Sequence, residues 1–279
     1  MSPRGWRTHD RRDLRVQEQR AVLTHLLGTL IGIFITSSGI IVAADTASTQ
    51  SARPGRVTSE RKIEMTGDHS GAALSGKPGW TAEWTGEKVT ADLVGVFRAV
   101  SVQLRQAKSV PIATQVETLT AALKREAEAN VFPAMEAWFP DGDLVTVYVA
   151  GYEGSQPVIH YATLHIDLSR RRVPPRFTVR RQQVLECWLL ARQNAVALGL
   201  IDSDPRLPES LRSQPSVAVL QGFKQRCHGP LTETDARTFF LIALDATIAH
   251  GAKFGIPAGV VGGDLDVLRI APALYWFVP

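Results

Sequence analysis

The chain has 279 residues, 44% hydrophobic and 21% charged, which is ordinary globular composition with enough apolar material for a sizeable core. The net charge is only +4, and much of it sits in residues 1–28, where Arg4, Arg7, Arg11, Arg12, Arg15 and Arg20 face Asp10, Asp13 and Glu18. The remaining body is near neutral, which excludes a general nucleic-acid footprint. The only two cysteines, Cys187 and Cys227, form no CxxC, and His228 beside Cys227 is a lone pairing, so a zinc site of the usual four ligands is excluded as well.

Met1 to Gln19 is polar and Arg-rich and reads as a leader. Leu27 to Thr46 follows and allows two incompatible readings. In one, Ala21 to Ala44 is a membrane or export segment: Arg11-Arg12 resembles a twin-arginine signal, and Val42-Ala43-Ala44 resembles a cleavage site. In the other, Thr29 to Ile35 and Gly39 to Ala44 are strands of a buried hairpin turning at Thr36-Ser37-Ser38-Gly39. The β-branched runs and the small polar turn favour the hairpin. A transmembrane helix would not place Thr-Ser-Ser-Gly at its middle.

Ala47 to Thr58 reads as a Ser/Thr/Pro/Gly loop. Lys62 to Met65 and Gly71 to Gly76 read as short strands, the second of small residues that permit close backbone approach. Trp80 and Trp84 are placed beside a loop, where packing is favoured over a role in a substrate cleft. A helix opens at Thr90-Ala91-Asp92, with Leu93, Val96, Phe97, Val100 and Leu104 on one face. A second runs from Ala113 to Ala129. Leu144 to Gly151 and Pro157 to Ile166 read as paired strands across Tyr152 to Ser155. Ser169 to Arg181, with Arg170, Arg171, Arg172 and Pro174-Pro175, reads as a basic surface loop. Gln182 to Leu198 is expected to be helical. Leu231 to Asp235 caps a last helix to His250. Gly262-Gly263 then turns into a final strand ending at Ile270. His69, His160, His165 and His250 are scattered and read as ordinary residues. Strands at both ends with helices in blocks predict an α+β fold of face-to-face sheets with helices outside.

Four places carry a family resemblance. They are Gly28-Thr29 with Gly39 to Thr46, where Thr29 and Asp45 stand sixteen positions apart; Lys62-Ile63; Val145 to Tyr152; and Leu231 to Ile270. In these the chain resembles the proteasome-type N-terminal nucleophile hydrolases, and bacterial proteasome β-subunits in particular. The resemblance implies a four-layer αββα sandwich over 29–279, with 1–28 a leader or propeptide.

It also implies a threonine-type peptidase or amidohydrolase, matured by self-cleavage of the Gly28–Thr29 bond. Thr29 would be the nucleophile and its freed α-amine the base, since an α-amine titrates at about 7.7–8.0. Lys62 would lower that pKa, Asp45 would hold Lys62 charged, Gly76 would offer its N–H to an oxyanion, and Thr49 would contact substrate backbone. No cofactor or metal is implied. Partners would be a peptide or amide substrate and a homo-oligomer, ring or smaller, with no nucleic acid and no membrane. The compartment implied is cytoplasmic, export being the alternative. Where the family carries an Asp and a Ser near its last turn, this chain has Ala258 and Val261. The alternative function is therefore a catalytically inactive binding or structural protein of the same fold.

Overall fold

The computed structural model describes residues 30–49, 57–59, 61–84, 87–132, 135, 142–167, 176–184, 188–190, 232–250 and 262–272. The leader, Gly28, Thr29, Arg170 to Arg172, both cysteines, His228, Ala258 and Val261 lie outside them.

The segment with two readings is a hairpin. β1 (Ile31–Thr36) and β2 (Gly39–Asp45) pair antiparallel with Ile31 opposite Ala44 and Thr36 opposite Gly39. Thr36 closes the turn by donating its hydroxyl to Gly39 O at 2.8 Å. Nearly every side chain in both strands is buried, as expected of β-branched runs covered on both faces. Each such Ile or Phe contributes about 1.5–3 kcal/mol on burial. A cut after Ala44 would remove β1 and nearly all of β2. Among the described residues no helix is long and apolar enough to cross a membrane.

The two ends of the expected Ala47 to Thr58 loop are strands: β3 (Ala47–Thr49) pairs with β4 (Val57–Ser59). β5 (Ile63–Gly67) and β6 (Ser70–Gly76) match the expected short strands. Next comes a hairpin in place of the predicted loop, β7 (Gly79–Trp84) with β8 (Glu87–Asp92). Trp80 is buried there and donates Nε1–H to Asn130 O at 2.8 Å, in line with the packing role. α1 (Leu93–Ala107) starts at Asp92, whose carboxylate accepts the Gly95 N–H at 2.8 Å. Its inner stripe is Leu93, Phe97, Ser101 and Leu104. α2 (Ile112–Ala129) buries Ile112, Val116, Leu119 and Leu123 at the same helical spacing.

β9 (Asp143–Glu153) and β10 (Gln156–Asp167) form the expected pair. Two expectations fail after that. Part of the predicted basic loop and the start of the predicted helix are one strand, β11 (Arg176–Val184), paired with β10. Within the rest of that predicted helix, Trp188–Leu190 is β12, paired with β1. Residues 180–183 of β11 are exposed, and their charge and polarity suit an edge strand. α3 (Glu233–His250) and β13 (Leu265–Ile270) close the described chain.

Two larger antiparallel sheets result, in the orders β12-β1-β2-β13 and β11-β10-β9-β6-β5. Ile31, Ile33, Ile40 and Val42 of the first share a core with Ala73, Tyr148, Ala150 and Ile159 of the second. α1 and α2 cover the second sheet's other side, on Leu74, Val147, Val149 and Leu164. α3 packs on β1 and β2, with Phe240 lying over Gly32. The architecture is α+β.

Gly71 marks a close approach of the two sheets: a Cβ there would run into the Leu268 side chain and lie 3.3 Å from Ile270 Cδ1. Gly71→Val should wedge the sheets apart and lower stability by about 1–3 kcal/mol. Urea unfolding of variant and parent measures this, and an unchanged midpoint would refute the close contact.

Candidate functional site

β2 ends on Asp45, a carboxylate with no solvent exposure. An unpaired charge in such a place is prohibitively unfavourable, so its partners define the site. The Leu30 N–H donates to Oδ1 at 2.7 Å, and the Asp45 N–H returns a bond to Leu30 O at 3.2 Å. On Oδ2, the Gly262 N–H donates at 3.0 Å and the Lys62 ammonium lies at 3.5 Å. Lys62 is itself buried, 2% exposed. It precedes β5 and is held by its own carbonyl, which accepts the Leu74 N–H of β6 at 2.9 Å. The ion pair therefore ties the four-stranded sheet to the five-stranded one.

Burial pushes the Asp45 carboxyl above its ordinary value of 3.8. The Lys62 charge, then the N–H groups of Gly262 and Leu30, pull it back part of the way.

The structure brings together Asp45 and Lys62 of the residues expected to act. Thr29 and Gly28 lie outside the described residues, but Thr29 is joined by one peptide bond to Leu30, whose N–H is the donor to Asp45 Oδ1. Gly76 ends β6, on the strand that pairs with β5. Its φ of +107° and the Leu144 carbonyl oxygen, 2.5 Å from where a Cβ would stand, both require glycine. Thr49 ends β3 opposite Val57. His165 bonds Asp143 at 2.8 Å, and His69 Nδ1 lies 3.0 Å from Ala271 O.

Sequence reasoning missed the contribution of the C-terminal turn. Thr46 accepts the Asp264 N–H on Oγ1 at 2.9 Å. The Thr46 N–H donates to Asp264 O at 3.0 Å. Gly262 supplies only a backbone N–H, which has no residue-type signal. The Gly262-Gly263 pair before β13 was the available hint.

No family profile and no curated protein matches the chain. Among solved structures it is similar to the Anbu (Gly-1) mutant from Hyphomicrobium sp. strain MC1, at 10% identity over 88% of this chain and 82% of that one, with a TM-score of 0.46. It is similar to Anbu, an ancestral β-subunit, from Yersinia bercovieri, at 10% identity over 87% and 81%, with a TM-score of 0.48. It is also similar to the Anbu complex from Pseudomonas aeruginosa, a helical assembly, at 12% identity over 87% and 81%, with a TM-score of 0.48. The resemblance to bacterial proteasome β-subunits is corrected by these findings: the matching structures named here are Anbu proteins, and likeness at this level assigns no family.

Removing one partner of a buried pair leaves an uncompensated charge, so Lys62→Met should lower stability by about 3–5 kcal/mol near neutral pH. Because the folded Asp45 pKa is raised, the folded chain takes up this proton before the unfolded chain does as pH falls. The carboxyl's contribution is thus fully present below about 3.8 and is lost as pH rises through the folded value. Without Lys62 that value rises further, so the deficit of Lys62→Met should shrink on acidification. Denaturation curves of both proteins across pH measure it, and a deficit independent of pH would refute an ionised pair.

Proposed function

We propose that this chain is a threonine-type hydrolase of amide or peptide bonds, matured by cleavage of Gly28–Thr29. The observation that carries the reading is the buried Asp45–Lys62 pair sharing its carboxylate with the N–H of Leu30, the residue after Thr29. An ammonium held charged next to a new N-terminus favours the neutral form of the α-amine and the alkoxide form of the hydroxyl. The amine then accepts the Thr29 hydroxyl proton directly or through water, and the alkoxide attacks the substrate carbonyl. The C–N bond breaks as the proton passes to the leaving amine, and water releases the acyl group from Thr29. Gly76 is assigned to the oxyanion, since glycine permits close approach of substrate to main chain, and Thr49 to substrate backbone by the sequence resemblance alone.

The fold that accompanies this reading is a four-layer αββα sandwich in one domain over 29–279. The shared core of the two sheets, with α1 and α2 on one outer face and α3 against β1 and β2, supports it. Homo-oligomer formation belongs to the same proposal.

N-terminal sequencing of the purified chain should give Thr29 as the first residue. An electrophilic peptide probe should label that threonine. Thr29→Ala should abolish labelling and leave Gly28–Thr29 whole, and turnover should fall at least 1,000-fold. A whole chain that no probe labels would overturn the proposal. The Asp45–Lys62 pair would then be a tie between sheets in a protein that binds or scaffolds.

A further inference from the structure

We propose that Thr46 and Asp264 form a positioning clip that seats the Gly262 N–H on Asp45 Oδ2 and thereby fixes the carboxylate that holds Lys62. The clip is the pair of reciprocal bonds between Thr46 and Asp264, at 2.9 and 3.0 Å, just beyond the last ladder pair of β2 and β13, Asp45 with Leu265. From that anchor the chain must turn back within two residues to reach Asp45. Gly262 at φ +141° and Gly263 at φ +75° make the turn, in conformations L side chains rarely adopt. The Gly262 donor arrives at 3.0 Å, closer than the Lys62 ammonium at 3.5 Å on the same oxygen. Thr46 is buried, so its hydroxyl has little access to solvent and depends on the Asp264 N–H for its partner.

Among the described residues, Lys62 is the charged group in contact with Asp45. Asp264 is exposed, and Asp266 on β13 is engaged by Arg61 at 3.6 Å. The clip therefore acts on the carboxyl through a backbone dipole, that of the Gly262 N–H. A donor lost from a buried carboxylate disfavours its ionised form, and a weaker carboxylate in turn holds the Lys62 ammonium less firmly. The clip's effect on turnover rests on the threonine-hydrolase reading. Its effect on the carboxyl does not.

The test compares wild type, Thr46→Val and Thr46→Ser by NMR, following the Asp45 carboxyl carbon and the Gly262 amide proton across pH. In the wild type the Gly262 amide should titrate with Asp45. In Thr46→Val the Asp45 midpoint should rise by about one unit, equivalent to a weakened charge-assisted bond, and the Gly262 amide should move upfield. Thr46→Ser, which keeps the hydroxyl, should behave as wild type. A wild-type Gly262 amide that ignores the Asp45 titration overturns the clip, even if Thr46→Val does not fold. A folded Thr46→Val with unchanged Asp45 and Gly262 overturns it too. The pH profile of probe labelling at Thr29 should shift with the Asp45 midpoint. A wild type that is never labelled removes the hydrolase reading, and the NMR titration still decides the clip.

Discussion

A carboxylate with no access to water organises this molecule. Asp45 must be satisfied by protein, and the donors come from three separate places in the chain: Leu30 before β1, Lys62 before β5 and Gly262 before β13. Each also belongs to a sheet or a turn whose position is set by other forces, chiefly the core shared by the two sheets. Apolar packing supplies most of the free energy, while the buried charge demands a particular register. A slip of one residue between β2 and β13 would carry Gly262 away from Oδ2 and leave the charge short of a donor.

The same constraint explains why ordinary residue types recur around the carboxylate in unusual settings. Lys62 is almost fully buried, although lysine is rarely so unless paired. Gly262 and Gly263 sit in left-handed backbone, and Thr46 spends its hydroxyl on a main-chain N–H. None of these would be selected by core packing alone. They follow from holding one ion in place between two sheets.

Much of this was legible in the sequence, and the limits have physical causes. The β1–β2 hairpin was readable because β-branched runs flank a hydroxyl-rich turn, and α1 and α2 because their apolar stripes hold helical spacing over about three turns. Asp45 and Lys62 were legible as a pair through the resemblance around Thr29, although that resemblance pointed to a subunit type the comparisons do not support. The β7–β8 hairpin was missed because six residues carry too little period-two signal, with Trp80 and Ala82 inward and Thr81 outward. β11 was missed because an edge strand with 180–183 exposed does not alternate cleanly. β12 is three residues long, too short for any period. The Gly262 contact was invisible because a backbone N–H has no side chain to read.

The 217 residues that separate Gly262 from Asp45 also impose an order in time. A ribosome adding about 5–20 residues per second takes roughly 10–40 s to travel that distance. During that interval β1 and β2 can pair, and Lys62 can arrive, but Oδ2 lacks its closest donor and β2 lacks its partner on one side. The centre closes only when the C-terminal strand docks. Any chemistry that depends on it is withheld from the nascent chain and becomes available only to a molecule that has completed its fold.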